Sequence, residues 1–327
     1  MQQSLVNGDR QPRGLLGALG SVPGIVYAVV LLYFVFWIAC DPNTFLTFGN
    51  FMNIVEQCTI LSVVSIASLL AIIVRGVDLS LGATMSFSGV VAAYLVRVQG
   101  WNMPAAALAA LAAGVSIGML NGLIVSRHNI ASFIVTLGTM NIAKSLALVV
   151  SNSRTISANT PSFRWLGSGF LWYVPYAAFL MLAVYAVFDM LMRKRRLGTY
   201  IYAIGGNEGA AHLSGINVRR VKFITYTLTG LLAAIAGVML ASRLGSANPG
   251  QGEGYEFYGI ASAVVGGASM TGGKGQVWLT LCGAFIISTL RNGLNMAGLP
   301  VSLQMIVLGF IIVGVVTFDT VSRRGSR

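Results

Sequence analysis

An all-α polytopic membrane protein, with about ten transmembrane helices and one short helix outside the bilayer, is the fold class predicted by this 327-residue sequence. Three features carry the prediction. Hydrophobic residues make up 56% of the chain and charged residues 9%, against about 25% charged in soluble domains. Apolar runs of roughly 18 to 24 residues, enough to cross a hydrocarbon core, recur between Gly, Pro, Asn and charge. Lysine and arginine gather on alternate sides of those runs, as the positive-inside rule requires.

In order, the runs are 22–40, 52–74, 79–96, 103–125, 131–150, 170–192, 223–242, 257–271, 276–291 and 300–320. They define a transmembrane domain over 22–320, flanked by an N-terminal tail 1–21 and a C-terminal tail 321–327. The first run lacks a small-x-small cleavage site and is followed by further spans, so a retained helix is expected rather than a signal peptide. The stretch FYGIASAVVGGASM within 257–271 is short and Gly-interrupted, the pattern of a broken or re-entrant element.

With both termini inside, the cytoplasmic side receives fifteen of the 21 lysines and arginines, among them Arg10, Arg13, Arg75, Arg127, Lys274 and Arg327. The outer side receives Arg97, Arg154, Arg164, Arg243 and Arg291, and Lys144 falls inside a run. The net charge of +12 is thus read as a response to orientation and anionic lipid headgroups, not as a nucleic-acid surface. Segment 193–222 is the most basic loop and lies on the cytoplasmic side.

That loop holds a polar segment with helix-end signals. Gly205-Gly206 breaks the apolar run, Asn207 can accept a backbone N–H as N-cap, Glu208 suits the first turn, and Gly215 can close the helix in the left-handed conformation. About two turns of helix are expected.

Asn121-Gly122-Leu123 is followed by Leu137-Gly138, and Asn292-Gly293-Leu294 by Leu308-Gly309, at the same offset. The two copies fall on opposite sides of the membrane, compatible with two inverted five-helix halves of the kind common in transporters. Gly114, Gly118 and Gly122, with Ala110 one step before, form a small-residue stripe that admits a second backbone.

Enzyme chemistry finds no group set. The run GGASMTGGKG lacks the spacing of a phosphate-binding loop: Ala268 stands six before Lys274, and Gly275 follows it. His128 and His212 are far apart, which excludes a multi-histidine metal site, and Cys40, Cys58 and Cys282 are scattered core residues. No cofactor is expected. Glu56 and Lys144 lie at similar depth near the outer face, so they read either as a structural ion pair or as a polar lining of a substrate path.

The loop AIGGNEGAAHLSGINVRRVK, followed by LTGLLAAIAGVMLASRLGSANP, resembles the permease subunits of ABC importers for monosaccharides of the ribose, xylose and galactose type. GVDLSLG at Gly76–Gly82, NIASFIVTLGTMNI at Asn129–Ile142 and AVVGGASMTGGKG at Ala263–Gly275 agree in order. The resemblance implies a pore formed by two permease copies, identical or closely related, in the inner membrane of a bacterium. Separate ATPase subunits drive it, and a periplasmic or extracellular sugar-binding protein delivers the sugar. The short internal helix, Asn207 to Ser214, would dock on the ATPase through Asn207, Glu208, Ala211, His212 and Ser214, with Gly215 and Ile216 turning into a second helical stretch that carries Arg219.

One departure stands out. The resembled family carries Gly-Gly-Ile before Asp-Leu-Ser, where this chain has Arg75-Gly76-Val77. A ligand-contact role for Asp78 and Ser80 is therefore less secure, and Asp78 is read first as a cap of the third helix. Two other functions stay open: an ion-gradient-driven secondary transporter, which should hold acids deep in its spans, and an ABC permease for another small solute such as a branched-chain amino acid.

Overall fold

A computed structural model describes residues 24–128 and 130–324. Outside them fall the tail 1–21 with Arg10 and Arg13, the first two residues of the first run, Asn129, and the end of the C-terminal tail with Arg327. The elements are α1 (Gly24–Ala39), α2 (Pro42–Phe45), α3 (Phe48–Ile73), α4 (Leu81–Arg97), α5 (Met103–His128), α6 (Ser132–Ser151), β1 (Ile156–Ser157), α7 (Pro161–Ser168), β2 (Phe170–Leu171), β3 (Val174–Pro175), α8 (Tyr176–Lys194), α9 (Arg196–Gly206), α10 (Glu208–Leu213), α11 (Val218–Leu244), β4 (Ser246–Ala247), α12 (Tyr255–Val265), α13 (Val277–Met296) and α14 (Val301–Arg324). A helix falls on each of the ten apolar runs. Among the described residues six of them, α3, α5, α6, α8, α11 and α13, are long and apolar enough to cross a membrane.

The bundle is built around α3 and α11. Thr47 caps α3 by accepting from the Asn50 N–H, and from Cys58 to Ile73 that helix is buried on every face. All-round apolarity is what a helix enclosed by others requires, and α11, α12, α13 and α8 enclose it. The glycine stripe of α5 finds its partner on α11. A Cβ at Gly122 would sit 2.6 Å from the Phe223 carbonyl oxygen, and one at Gly230 would sit 2.7 Å from the Gly118 Cα. The two backbones therefore touch, in the small-residue packing that membrane helices favour.

The eighth run is broken. After α11 ends at Gly245 in the left-handed conformation (φ 62°), residues 245–254 form an irregular segment, and α12 has only 11 residues before a glycine-rich loop over 266–276. The irregular segment is covered by protein: Gly252 N–H donates to Ser86 Oγ at 2.8 Å, and β4 pairs with β1. The sixth run starts later than expected because residues 170–175 form the β2–β3 hairpin. Three helices were not foreseen, α2, α7 and α9. Thr160 caps α7, whose Gly167 N–H donates to Ser242 Oγ at 2.8 Å on the end of α11.

Candidate functional site

At one end of the bundle α9, α10 and the start of α11 make a compact projection. Gly205 and Gly206 do not interrupt a run here; they are the last two residues of α9, whose Gly198, Ile201, Ile204 and Gly205 share one buried face. A Cβ at Gly205 would overlap the Ile73 carbonyl oxygen and the Gly273 backbone. Glycine is needed there for close approach.

The short helix has the anticipated ends. Asn207 Oδ1 accepts from Ala210 N–H at 3.0 Å. Ser214 Oγ donates to the Ala210 carbonyl at 2.9 Å, Gly215 adopts φ 83°, and Ile216 N–H reaches back to Ala211 O at 3.1 Å. Asn217 then caps α11 through Arg220 N–H at 3.0 Å. Both Glu208 carboxylate oxygens accept from Lys222 Nζ at 2.8 Å, which ties α10 to α11. His212 and Arg219 are exposed and line, with Arg127, a cavity of about 790 Å³ beside the projection.

Ala211 is a correction: at 5% exposure it faces the bundle and holds the helix in place rather than offering contact to a partner. Leu213, which sequence reasoning passed over, is 89% exposed at the tip. A leucine ending a polar helix, between His212 and a Ser-Gly turn, was the available signal.

The end of α3 and the loop before α13 grip the projection. Arg75, at the end of α3, donates from Nε to Gly205 O at 2.7 Å and from its terminal guanidinium nitrogen to Gly206 O. Tyr202 OH donates to Gly275 O at 2.7 Å in the loop before α13, and Gly273 N–H in that loop donates to Ile73 O at 3.0 Å. The glycines of GGASMTGGKG thus serve backbone packing: Gly267, Gly272 and Gly273 have φ of 89°, 85° and 71°.

Asp78 and Ser80 lie nearby, and Asp78 does not cap α4. Ser80 is the cap residue and makes no side-chain cap bond. Instead Asp78, 2% exposed, accepts from Ser80 N–H (3.0 Å) and Oγ (2.6 Å) with one oxygen and from Thr229 Oγ1 (2.7 Å) with the other. Asn121 Nδ2 donates to Ser80 Oγ at 2.9 Å and its carbonyl accepts from Thr139 Oγ1 at 2.6 Å. This buried chain links α11, the α3–α4 connection, α5 and α6, and its carboxylate has a donor on each oxygen.

Glu56 and Lys144 are not partners. Glu56 pairs with Arg243 at 3.0 Å and Lys144 with Glu253 at 3.6 Å. The reason is position: α3 is central, whereas α6 packs on α4 and α5 at the periphery. Among the described residues no group of three or more His, Cys, Asp or Glu side chains is placed to hold a metal ion.

Comparison with known proteins agrees with these elements. Residues 50–316 match the family described as branched-chain amino acid transport system / permease component. The ribose import permease protein RbsC of Escherichia coli strain K12 is 40% identical over 283 residues, covering 85% of this chain and 88% of that protein. Its Bacillus subtilis strain 168 namesake is 36% identical over 94% of both chains. The D-allose transport system permease protein AlsC of Escherichia coli strain K12 is 34% identical, over 85% of this chain and 86% of its own. No solved structure matches. The resemblance read from the sequence is borne out, and the chain belongs to the branched-chain amino acid transport system / permease component family.

Proposed function

We propose that the chain is the permease subunit of an ATP-driven sugar importer in a bacterial inner membrane, crossing it about ten times with both termini in the cytoplasm. The substrate class follows the ribose and D-allose permeases that this chain matches along most of its length. Two copies form the translocation path, an external sugar-binding protein delivers the sugar, and separate ATPase subunits drive alternating access. The loop 193–222 faces the cytoplasm because it carries the densest run of cations.

The observation that carries the proposal is the mechanical junction. A capped helix projects from the bundle, tied to α11 by Glu208, while α9, which leads directly into it, is fixed to the end of α3 by Arg75 and to the loop before α13 by Tyr202. A partner that moves α10 moves three helix ends as one body, the rigid-body route by which a closing motor can reorient spans. Asn207, Glu208, His212, Ser214, Gly215, Ile216 and Arg219 shape this handle, and Leu213 supplies its apolar tip. Support for inverted halves comes from the repeat: Gly122 packs on Phe223 near α10, whereas Gly293 packs on the Phe36 ring at the opposite end.

The test uses the permease assembled with its ATPase and sugar-binding protein. Glu208→Lys breaks the tie to Lys222, and Gly215→Val forces a β-branched residue into positive φ with open space around it. Each variant should insert normally and lose uptake per ATP hydrolysed. Normal coupling in both contradicts the handle.

A further inference from the structure

Far from the α10 projection, a cavity of about 250 Å³ lies between α4, α6, α12 and the irregular 245–254 segment. Ser86, Asn141, Lys144, Glu253, Phe257 and Met305 are among the residues that line it. Lys144 Nζ and Glu253 Oε2 stand 3.6 Å apart with side chains 48% and 66% exposed. Lys144 is seven residues from the end of α6, about 10 Å along its axis. Ion pairs exposed at such depth do not face hydrocarbon, so water or protein must cover this face, although Leu137, Ile142 and Leu146 around it are exposed apolar groups.

The lining has the chemistry of a carbohydrate contact. Phe257, 44% exposed, offers an aromatic surface for the C–H face of a sugar ring. Asn141, Lys144 and Glu253 offer donors and acceptors for hydroxyls, two of them charged, and Glu256 adds a second carboxylate to the lining. At roughly 30 Å³ per water the volume equals about eight waters, room for a monosaccharide of about ten to twelve heavy atoms. We propose that this cavity is a sugar-contact site on the translocation path, a statement that rests on the importer reading above. The Lys144–Glu253 pair keeps the empty cavity hydrated and opens to sugar hydroxyls as they pass.

The assembly with ATPase and binding protein, in vesicles, supplies the test. Asn141→Cys should react with a charged, membrane-impermeant maleimide above the level of the wild-type chain with Cys40, Cys58 and Cys282. A saturating monosaccharide that the wild type transports should slow the reaction, and leucine should not. Asn141→Leu and Glu253→Gln should each lower sugar moved per ATP about ten-fold, the size of one hydrogen bond lost. No labelling, meaning that lipid or the second copy closes the cavity, overturns the proposal. So does protection by leucine alone, or unchanged sugar per ATP in both single variants. A wild-type assembly that moves no sugar defeats the importer reading instead, and is recognised before any variant is made.

Discussion

Arg75 occupies the left-handed region, φ 61°, at a position where the resembled family carries glycine. A non-glycine residue there costs roughly 1–2 kcal/mol. The compensation is the pair of hydrogen bonds to the Gly205 and Gly206 carbonyls at the end of α9. Bonds from a charged donor contribute roughly 1.5–3 kcal/mol when buried, and the half-open setting reduces them to about 1 kcal/mol each. Arg75→Ala keeps the strain and loses both bonds, so it should destabilise the junction by about 2 kcal/mol. Arg75→Gly loses the bonds and releases the strain, for a net loss of about 1 kcal/mol. Arg75→Lys, with one flexible ammonium, should fall between wild type and Gly. Thermal unfolding in detergent and protease cleavage within 196–217 read the order, wild type above Lys above Gly above Ala. If Ala equals or exceeds Gly, strain is not being offset by these bonds and the account of the junction is wrong.

Gly230→Leu places side-chain atoms against the Gly114 and Gly118 backbone, so it should cost about 3 kcal/mol or abolish assembly, seen as loss of a monodisperse peak in size-exclusion chromatography. Thr229→Val removes the donor to Asp78 and should lower stability by about 1.5–3 kcal/mol, whereas Thr229→Ser should retain most of it in the same melting assay. A double-mutant cycle on Glu56 and Arg243 should give a coupling of about 1–3 kcal/mol, and the same cycle on Glu56 and Lys144 should give none. Leu213→Asp should leave the permease melting temperature unchanged, because the side chain is 89% exposed, and should weaken ATPase co-elution about ten-fold or more.

Length and apolarity made the spans legible, since a helix in lipid satisfies its own backbone and needs a minimum length. The caps at Asn207 and Gly215 were legible for a related reason: the groups that close a helix are local in sequence. Pairings across the bundle were not. Glu56 meets Arg243 and Lys144 meets Glu253 because of helix order around α3, which depth along a span does not encode. The glycine stripe on α5 announced a partner, and the α11 surface it meets, Gly230 with Ala234 one turn on, is only a short small-residue pair in an alanine-rich helix. Helix α9 was hidden because two glycines suggested a break, whereas here they end the helix and Gly205 permits contact with Ile73 and Gly273.

The central claim is that this chain supplies a path and a handle while another subunit supplies the drive. Vesicles holding the permease with its ATPase and binding protein should accumulate labelled ribose or a related monosaccharide only when ATP is present on the α10 side. Accumulation by the permease alone, under a proton or sodium gradient and with no ATPase in the vesicles, would contradict it.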